Sequence, residues 1–169
     1  WRPSDNGKLS LVNLKVWGHR GESRQLMGAP NCAHHLYNLQ HLKPKGTIYI
    51  CEGEWDCMAT EDLVVAGGYG DSPPSVVAVP GANVFKPEWA GYFAGRDIVF
   101  LYDNDSAGQT GVSYAINRLS GNWGLPRSIS RLNWPARFPD KYDMRDLTIE
   151  LGCDCNTWNY LKMNLEQVP

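Results

Sequence analysis

The sequence predicts an α/β protein: an open, mainly parallel, four-stranded sheet with flanking helices, entered through a small, basic, β-rich lead-in. Three observations carry this. From Thr47 onward, short and nearly continuous apolar runs alternate with helix-like stretches, and such runs are how strands buried on both faces of a parallel sheet read. Gly or Pro stands at most of the junctions between them, which marks turns. The charge divides after Lys45: residues 1–45 carry seven Lys/Arg against two Asp/Glu, a net +5, whereas residues 46–169 carry nine against sixteen, a net −7.

In chain order, the stretch from Leu9 to Trp17 alternates imperfectly, as an exposed strand or hairpin does, and Gly18, Gly21 and Gly28-Ala29-Pro30 supply turns. Ile48-Tyr49-Ile50-Cys51 is the first core strand, followed by a helix over about 56–66. A second strand over 75–79 precedes a helix over about 87–94, and a third over 97–102 precedes a helix over about 107–120. In that last helix Ala107, Val112, Ala115, Ile116 and Leu119 recur at helical spacing. A weaker fourth strand lies over 128–132. This βαβαβαβ order implies right-handed crossovers that put helices on both faces of the sheet. A loop rich in Pro and aromatic residues follows (Trp134, Pro135, Phe138, Pro139, Tyr142), then a tail with helical stretches at 148–151 and 157–165 broken at Gly152. The expected division is a lead-in subdomain over 1–45, a principal domain over 46–146 and a helical tail over 147–169.

With 169 residues, 43% hydrophobic and 20% charged, the chain can bury one principal core. No apolar run approaches the roughly 18 residues of a membrane span. Five scattered cysteines, an odd number, and no charged-then-apolar leader fit reduced thiols and a cytoplasmic setting. Opening on Trp1 without an initiating Met, the chain is expected to be a piece of a longer protein. A basic lead-in joined to an acidic body suits a molecule that attracts phosphate backbones with one part and collects cations with the other.

In open α/β sheets ligands bind beyond the carboxyl ends of the strands, and the acidic residues stand there. Glu52 follows the first strand, Pro80-Gly81 the second, Asp103 and Asp105 the third, and Asp143-Met144-Arg145-Asp146 comes after the fourth. Close carboxylates repel one another unless a cation lies among them. Mg²⁺ asks for oxygen ligands and is commonly held by a few carboxylates together with water and substrate phosphates. Simpler readings exist for each part. Glu52 and Asp56 alone would pass for acids at a helix N-terminus. Asp103-Asn104-Asp105 would pass for a turn or a calcium loop, but a calcium loop requires an acid at its twelfth position, where Tyr114 stands.

Taken together, an apolar strand ending in Glu52-Gly53-Glu54-Trp55-Asp56 and, about fifty residues on, another ending in Asp103-Asn104-Asp105-Ser106-Ala107-Gly108 resemble the Toprim domain of DnaG-type primases, phage primase-helicases, topoisomerases and some nucleases. The likeness covers about 46–146. Val79-Pro80-Gly81-Ala82-Asn83 is similar to the family's turn after the second strand. Leu36-Tyr37-Asn38-Leu39 is similar to the small subdomain that precedes Toprim in bacterial and phage primases. The resemblance implies that Glu52 binds metal or manages a proton in phosphoryl transfer, that Asp103 and Asp105 coordinate Mg²⁺ or Mn²⁺, and that Asp56 supports the same site. Asp143 resembles the first acid of a further primase motif, from which this sequence departs at Tyr142, where Lys is usual, and at Arg145, where a second acid or amide is common.

The expected activity is therefore metal-dependent nucleotidyl transfer, foremost as a DNA primase that lays RNA primers on single-stranded DNA from nucleoside triphosphates, in phage or plasmid replication. A helicase or zinc-binding module would stand elsewhere in the parent chain or in a complex. The alternatives are a Toprim nuclease or topoisomerase fragment and, from another class, a non-catalytic nucleic-acid-binding module. Lys15, His19, Arg20, Arg24, Lys43 and Lys45 are the candidates for tracking a template backbone. Cys32, His34, His35, Cys153 and Cys155 raise a zinc site, against which stands the lack of paired Cys-x-x-Cys spacing. Trp55 lies inside the acidic motif and is expected to pack into the core, as tryptophans more often do.

Overall fold

The structure, a computed structural model, describes residues 2–3, 9–10, 14–20, 23–68, 73–119 and 124–168. Trp1 and Trp123 lie outside these residues, as do the side chains of Trp17, His19, Arg20 and Arg24.

The lead-in is β-rich as expected. It holds a short pair, β1 (Arg2–Pro3) with β2 (Leu9–Ser10), and a longer antiparallel pair, β3 (Lys15–Arg20) with β4 (Ser23–Gly28). Its last part joins the core. Leu36 and Leu39 are buried, and Tyr37 exchanges backbone hydrogen bonds with Ala78 at 2.8 and 3.3 Å. Asn38, left-handed at φ 65°, donates from Nδ2 to the Val76 carbonyl at 3.0 Å. An exposed sheet edge invites unwanted pairing, and these two residues cover one.

The core sheet has five strands in the order β6-β5-β7-β8-β9, where β5 is Ile48–Cys51, β6 Ser75–Ala78, β7 Asp97–Leu101, β8 Ser128–Leu132 and β9 Leu165–Gln167. The first four are parallel and β9 is antiparallel to β8. Successive residues point to opposite faces, so one strand feeds two cores. Ile48, Ile50, Ile98 and Phe100 pack with α2 (Ser106–Leu119), while Tyr49, Cys51, Val99 and Leu101 pack with α1 (Glu54–Ala66), α3 (Met144–Leu151) and α4 (Cys155–Met163).

Two elements differ from expectation. The helix over 87–94 is a short 3₁₀ turn, Pro87–Tyr92: Pro87 starts it, Gly91 weakens it, and Trp89 within it and Phe85 and Phe93 on either side of it already cover the sheet. The sheet has a fifth strand where the sequence predicts the end of a helical tail. Helix α4 stops at Met163, and three residues with no alternation to read turn back along β8, with Arg131 Nε 2.5 Å from Glu166 Oε1 across the pair. No helix among the described residues is long and apolar enough to cross a membrane.

Candidate active site

Strands β5 and β7 are neighbours whose onward connections leave in opposite directions, through α1 to β6 on one side and through α2 to β8 on the other. A crevice opens between the carboxyl ends of two such strands, the usual ligand position in an open α/β sheet. The register pairs Cys51 with Leu101, so the chain leaves both strands at the same level and delivers Glu52 and Asp103 to the two sides of that crevice.

The local sequence explains how these carboxylates are held. Gly53, in extended conformation, caps α1, and a Cβ there would stand 2.9 Å from Asp56 Oδ2. Asp105 caps α2: its Oδ1 accepts the Gly108 N–H at 2.7 Å, meeting one of the donors a helix start leaves unsatisfied, and its carbonyl accepts the first intrahelical bond, from Gln109 at 3.1 Å. Gly108 lets that first turn lie against the Asp103 backbone, where any Cβ would overlap the Asp103 carbonyl oxygen. In the Asp-x-Asp-x-x-Gly pattern the second acid and the Gly thus build the helix start, and Asp103 has no side-chain hydrogen bond or ion pair among the described residues.

Asn104, between the two acids, joins this turn to the aromatic loop. It donates from Nδ2 to Pro139 O at 2.8 Å and to Phe138 O at 3.2 Å, and its backbone exchanges with Tyr142 and Lys141 at 2.9 Å each. That loop delivers Asp143, which caps α3 in a reciprocal capping box with Asp146.

The electrostatics are those of a crowded anionic site. Burial, followed by the charges of Glu52, Asp56, Asp143 and Asp105, pushes the Asp103 carboxyl up to about 8. Burial, then the Asp143 charge, pushes Asp56 up to about 6, and Arg145 pulls it back in part. Glu52 is also raised, mainly by burial, against the opposing effect of the Asp103 and Ala82 backbone amides. Its Oε2 is buried without a hydrogen bond, as is Asp56 Oδ1.

The structure therefore gathers Glu52, Asp56, Asp103, Asp105 and Asp143 at one rim, with Lys15 beside it but Lys43 and Lys45 elsewhere. Lys15 is paired with Glu54 at the start of α1, which pins β3 beside the rim. Lys43 is at the opposite end of the sheet: its Nζ donates to Pro73 O at 2.9 Å, its N–H to Ser75 Oγ at 3.0 Å, and Arg96 binds its carbonyl at 2.8 Å. Lys45 is exposed at that same end. The four residues of β5 separate the two ends by on the order of 10 Å. Arg20 and Arg24 are placed only by backbone, as partners of Ser23 and His19. Trp55, expected in the core, is 44% exposed, because the first turn of α1 directs Asp56 and Cys57 inward instead.

Sequence reasoning missed the cations that do stand near the rim. Arg145 binds Asp143, with Nη2 at 2.5 Å from Oδ2, and its Nε lies 3.7 Å from Asp56 Oδ1. Arg131 lines a cleft of about 120 Å³ together with Tyr102, Asp103, Gln109 and Trp134; Trp134 donates from Nε1 to Tyr102 O at 2.8 Å and so closes its wall. The only sequence signal was the departure at Arg145.

A divalent ion fits the donor set. The available atoms are hard carboxylate oxygens, one of them, Glu52 Oε2, buried without a partner, and the raised Asp103 carboxyl is relieved by positive charge. Among the described residues no three His, Cys, Asp or Glu side chains are gathered closely enough to hold an ion between them, at the rim or around Cys32 and Cys153. Mg²⁺ is compatible with that openness, since one or two carboxylates suffice when water and substrate phosphates complete the shell.

No protein-family model matches the chain, and no curated protein matches it by sequence. Solved structures do match. The chain superposes on the primase of Aquifex aeolicus, a structure of its zinc-binding and RNA polymerase domains, with a TM-score of 0.65 and 19% identity over 94% of this chain and 38% of that one. It matches the primase fragment of the bacteriophage T7 primase-helicase with a TM-score of 0.65 and 20% identity over 94% of this chain and 59% of that one. A third match, TM-score 0.64 and 20% identity, covers 96% of this chain and 74% of one in a bacteriophage T7 lagging-strand DNA polymerase assembly with primase domains bound to an RNA/DNA hybrid and dTTP. The chain spans less than two thirds of the first two. It has the fold of these primase cores.

Proposed function

We propose that this chain is the catalytic part of a DNA primase, joining nucleotides into an RNA primer on a single-stranded DNA template as part of a larger cytoplasmic replication protein, of phage or plasmid origin, with a helicase or zinc-binding module beside it. The observation that carries the reading is the meeting of Glu52 and Asp103 at the switch point between β5 and β7, with a buried carboxylate oxygen left without a partner, in a fold shared with primase cores.

Glu52, Asp103 and Asp105 would hold Mg²⁺ or Mn²⁺, with Asp56 and Asp143 adding to the negative field. Bound there, the ion supplies neutralisation of the charge that spreads over a transferred phosphoryl group. The protein's own contribution is positioning. Asp105 and Gly108 fix α2 against the Asp103 backbone, Asn104 fixes the loop that bears Asp143, and the cleft beside Asp103 offers Arg131 and Gln109 to a polar substrate. Glu52, held protonated more readily than an exposed carboxyl, is suited to taking the proton of an attacking hydroxyl when it is ionised.

The test is incubation of the chain with single-stranded DNA, labelled ribonucleotides and Mg²⁺ or Mn²⁺. Short RNA oligomers that disappear with Asp103→Ala support the assignment. Strand cleavage without synthesis moves it to a nuclease or topoisomerase activity of the same carboxylates. DNA binding unaffected by Asp103→Ala, with no chemistry by the parent protein, makes the chain a binding module.

A further inference from the structure

The acidic rim has two halves, and only one contains a cation of the protein's own. In the first half Arg145 donates to Asp143 Oδ2 from Nη2 at 2.5 Å and from Nε at 3.2 Å, and its Nε stands 3.7 Å from Asp56 Oδ1. Asp143 is committed on its other oxygen as well, since Oδ1 accepts the Asp146 N–H at 2.9 Å. Asp56 is 7% exposed and its Oδ1 accepts no hydrogen bond, which leaves the guanidinium as its countercharge. In the second half Glu52 Oε2 is buried without a partner, and among the described residues no ion pair reaches Glu52, Asp103 or Asp105.

We infer that Arg145 takes the place of a second divalent ion: its guanidinium fills the Asp56 and Asp143 half of the rim, so that the chain binds a single ion, in the half lined by Glu52, Asp103 and Asp105, on one or two of these carboxylates with water completing the shell. The inference rests on the metal-dependent reading proposed above. A guanidinium is charged at every relevant pH and presents a planar fork of donors that matches a carboxylate. An ion entering the first half would have to break the short contact to Asp143 and displace a tethered charge whose local concentration never falls. The second half offers no such competitor. The sequence departure at Arg145 thus changes the number of ions the rim takes while leaving the half that faces the crevice intact.

Calorimetric titration of the 169-residue chain with Mn²⁺, checked by paramagnetic resonance of the free ion, tests this. The expected result is one ion per chain, lost in Asp103→Asn, rising to two in Arg145→Ala and Arg145→Gln, and staying at one in Arg145→Lys, which keeps the charge. Two ions in the unaltered chain, or one ion in both neutral Arg145 variants once circular dichroism shows them folded, overturns the inference. If neither neutral variant folds, the count for the unaltered chain decides alone. An unaltered chain that makes primers while binding two ions overturns this inference and leaves the proposed activity standing. A chain that binds none, with no binding in any variant, overturns both.

Discussion

The side chain of Asn104 holds the backbone carbonyl of Pro139 at 2.8 Å, and this bond fixes the distance between two acidic clusters that are far apart in sequence. The Phe138 and Pro139 carbonyls both receive the same Nδ2. Asn104→Ala removes both bonds and leaves the Phe138 carbonyl short of its side-chain donor, at a cost of about 1–3 kcal/mol. Equilibrium urea denaturation is the measurement. The proposed primer synthesis is expected to fall further than stability does, because Asp103 and Asp143 then drift independently. Unchanged stability and activity would show that the two backbone bonds to Tyr142 and Lys141 hold the loop by themselves.

Gly108 is where α2 touches the Asp103 backbone. Gly108→Ala normally favours a helix interior by roughly 1 kcal/mol, yet here the added methyl meets a carbonyl of the strand end, which is not a flexible side chain. Overpacking of this kind costs about 1–3 kcal/mol, so the net sign is destabilising. Metal affinity should fall with it as Asp103 is pushed away. A Gly108→Ala variant that melts higher than the unaltered chain contradicts the close approach.

Much of this arrangement was legible in the sequence because it depends on periodicity and strand ends. The runs at 48–51, 75–79 and 97–102 read as buried strands, since each alternate residue serves one of two cores. Glu52 and Asp103 were found because they stop those runs. What was not legible depends on contacts between distant segments. The pairing of Arg145 with Asp56 and Asp143, the capture of Lys15 by Glu54 and the displacement of Lys43 to the far end of the sheet leave no periodic trace. Strand β9 escaped because three residues after a helix carry no alternation; its place is set by pairing with β8. A net charge of +5 over residues 1–45 correctly describes composition, but it does not locate a charge on one side of the fold.

The raised Asp103 and Asp56 carboxyls predict how the metal-free chain responds to pH. A carboxyl whose folded value lies above its unfolded value of about 3.9 keeps more protons when folded, so its contribution is fully present below that value and is lost as pH rises through the folded one. For Asp56, pushed up to about 6, and Asp103, pushed up to about 8, melting temperature should decline between about pH 4 and pH 8. Asp97 works in the opposite sense: the Arg127 and Ser128 hydrogen bonds hold it down at about 2, so its contribution is lost only as pH falls below about 4. Asp103→Asn should flatten the upper part of the decline and raise the melting temperature at pH 8. Melts of both proteins in chelator across this range give the comparison, and parallel curves would refute the assigned burial of Asp103.

Trp158 shows why residues after Gly152 matter to a rim they never reach. It is 1% exposed, meets Tyr49 edge to face at 5.3 Å between centroids, and its ring lies so close to Gly67 that a Cβ there would stand 2.7 Å away. Helix α4 is thereby pinned under β5 and the end of α1, and the chain that leaves it forms β9 and completes the edge of β8. Strand β8 in turn leads to Trp134, whose indole N–H holds the Tyr102 carbonyl next to Asp103. Trp158→Ala should cost about 3–5 kcal/mol, the range for emptying a large buried aromatic site. Trp158→Phe should cost less, because it keeps a ring against Tyr49. If the tail merely shields the sheet, activity of the folded fraction stays unchanged in both variants. If it sets the edge that carries Trp134, Trp158→Phe raises the KM for nucleotide at unchanged kcat in chains that circular dichroism shows to be folded, and that split is the expected outcome.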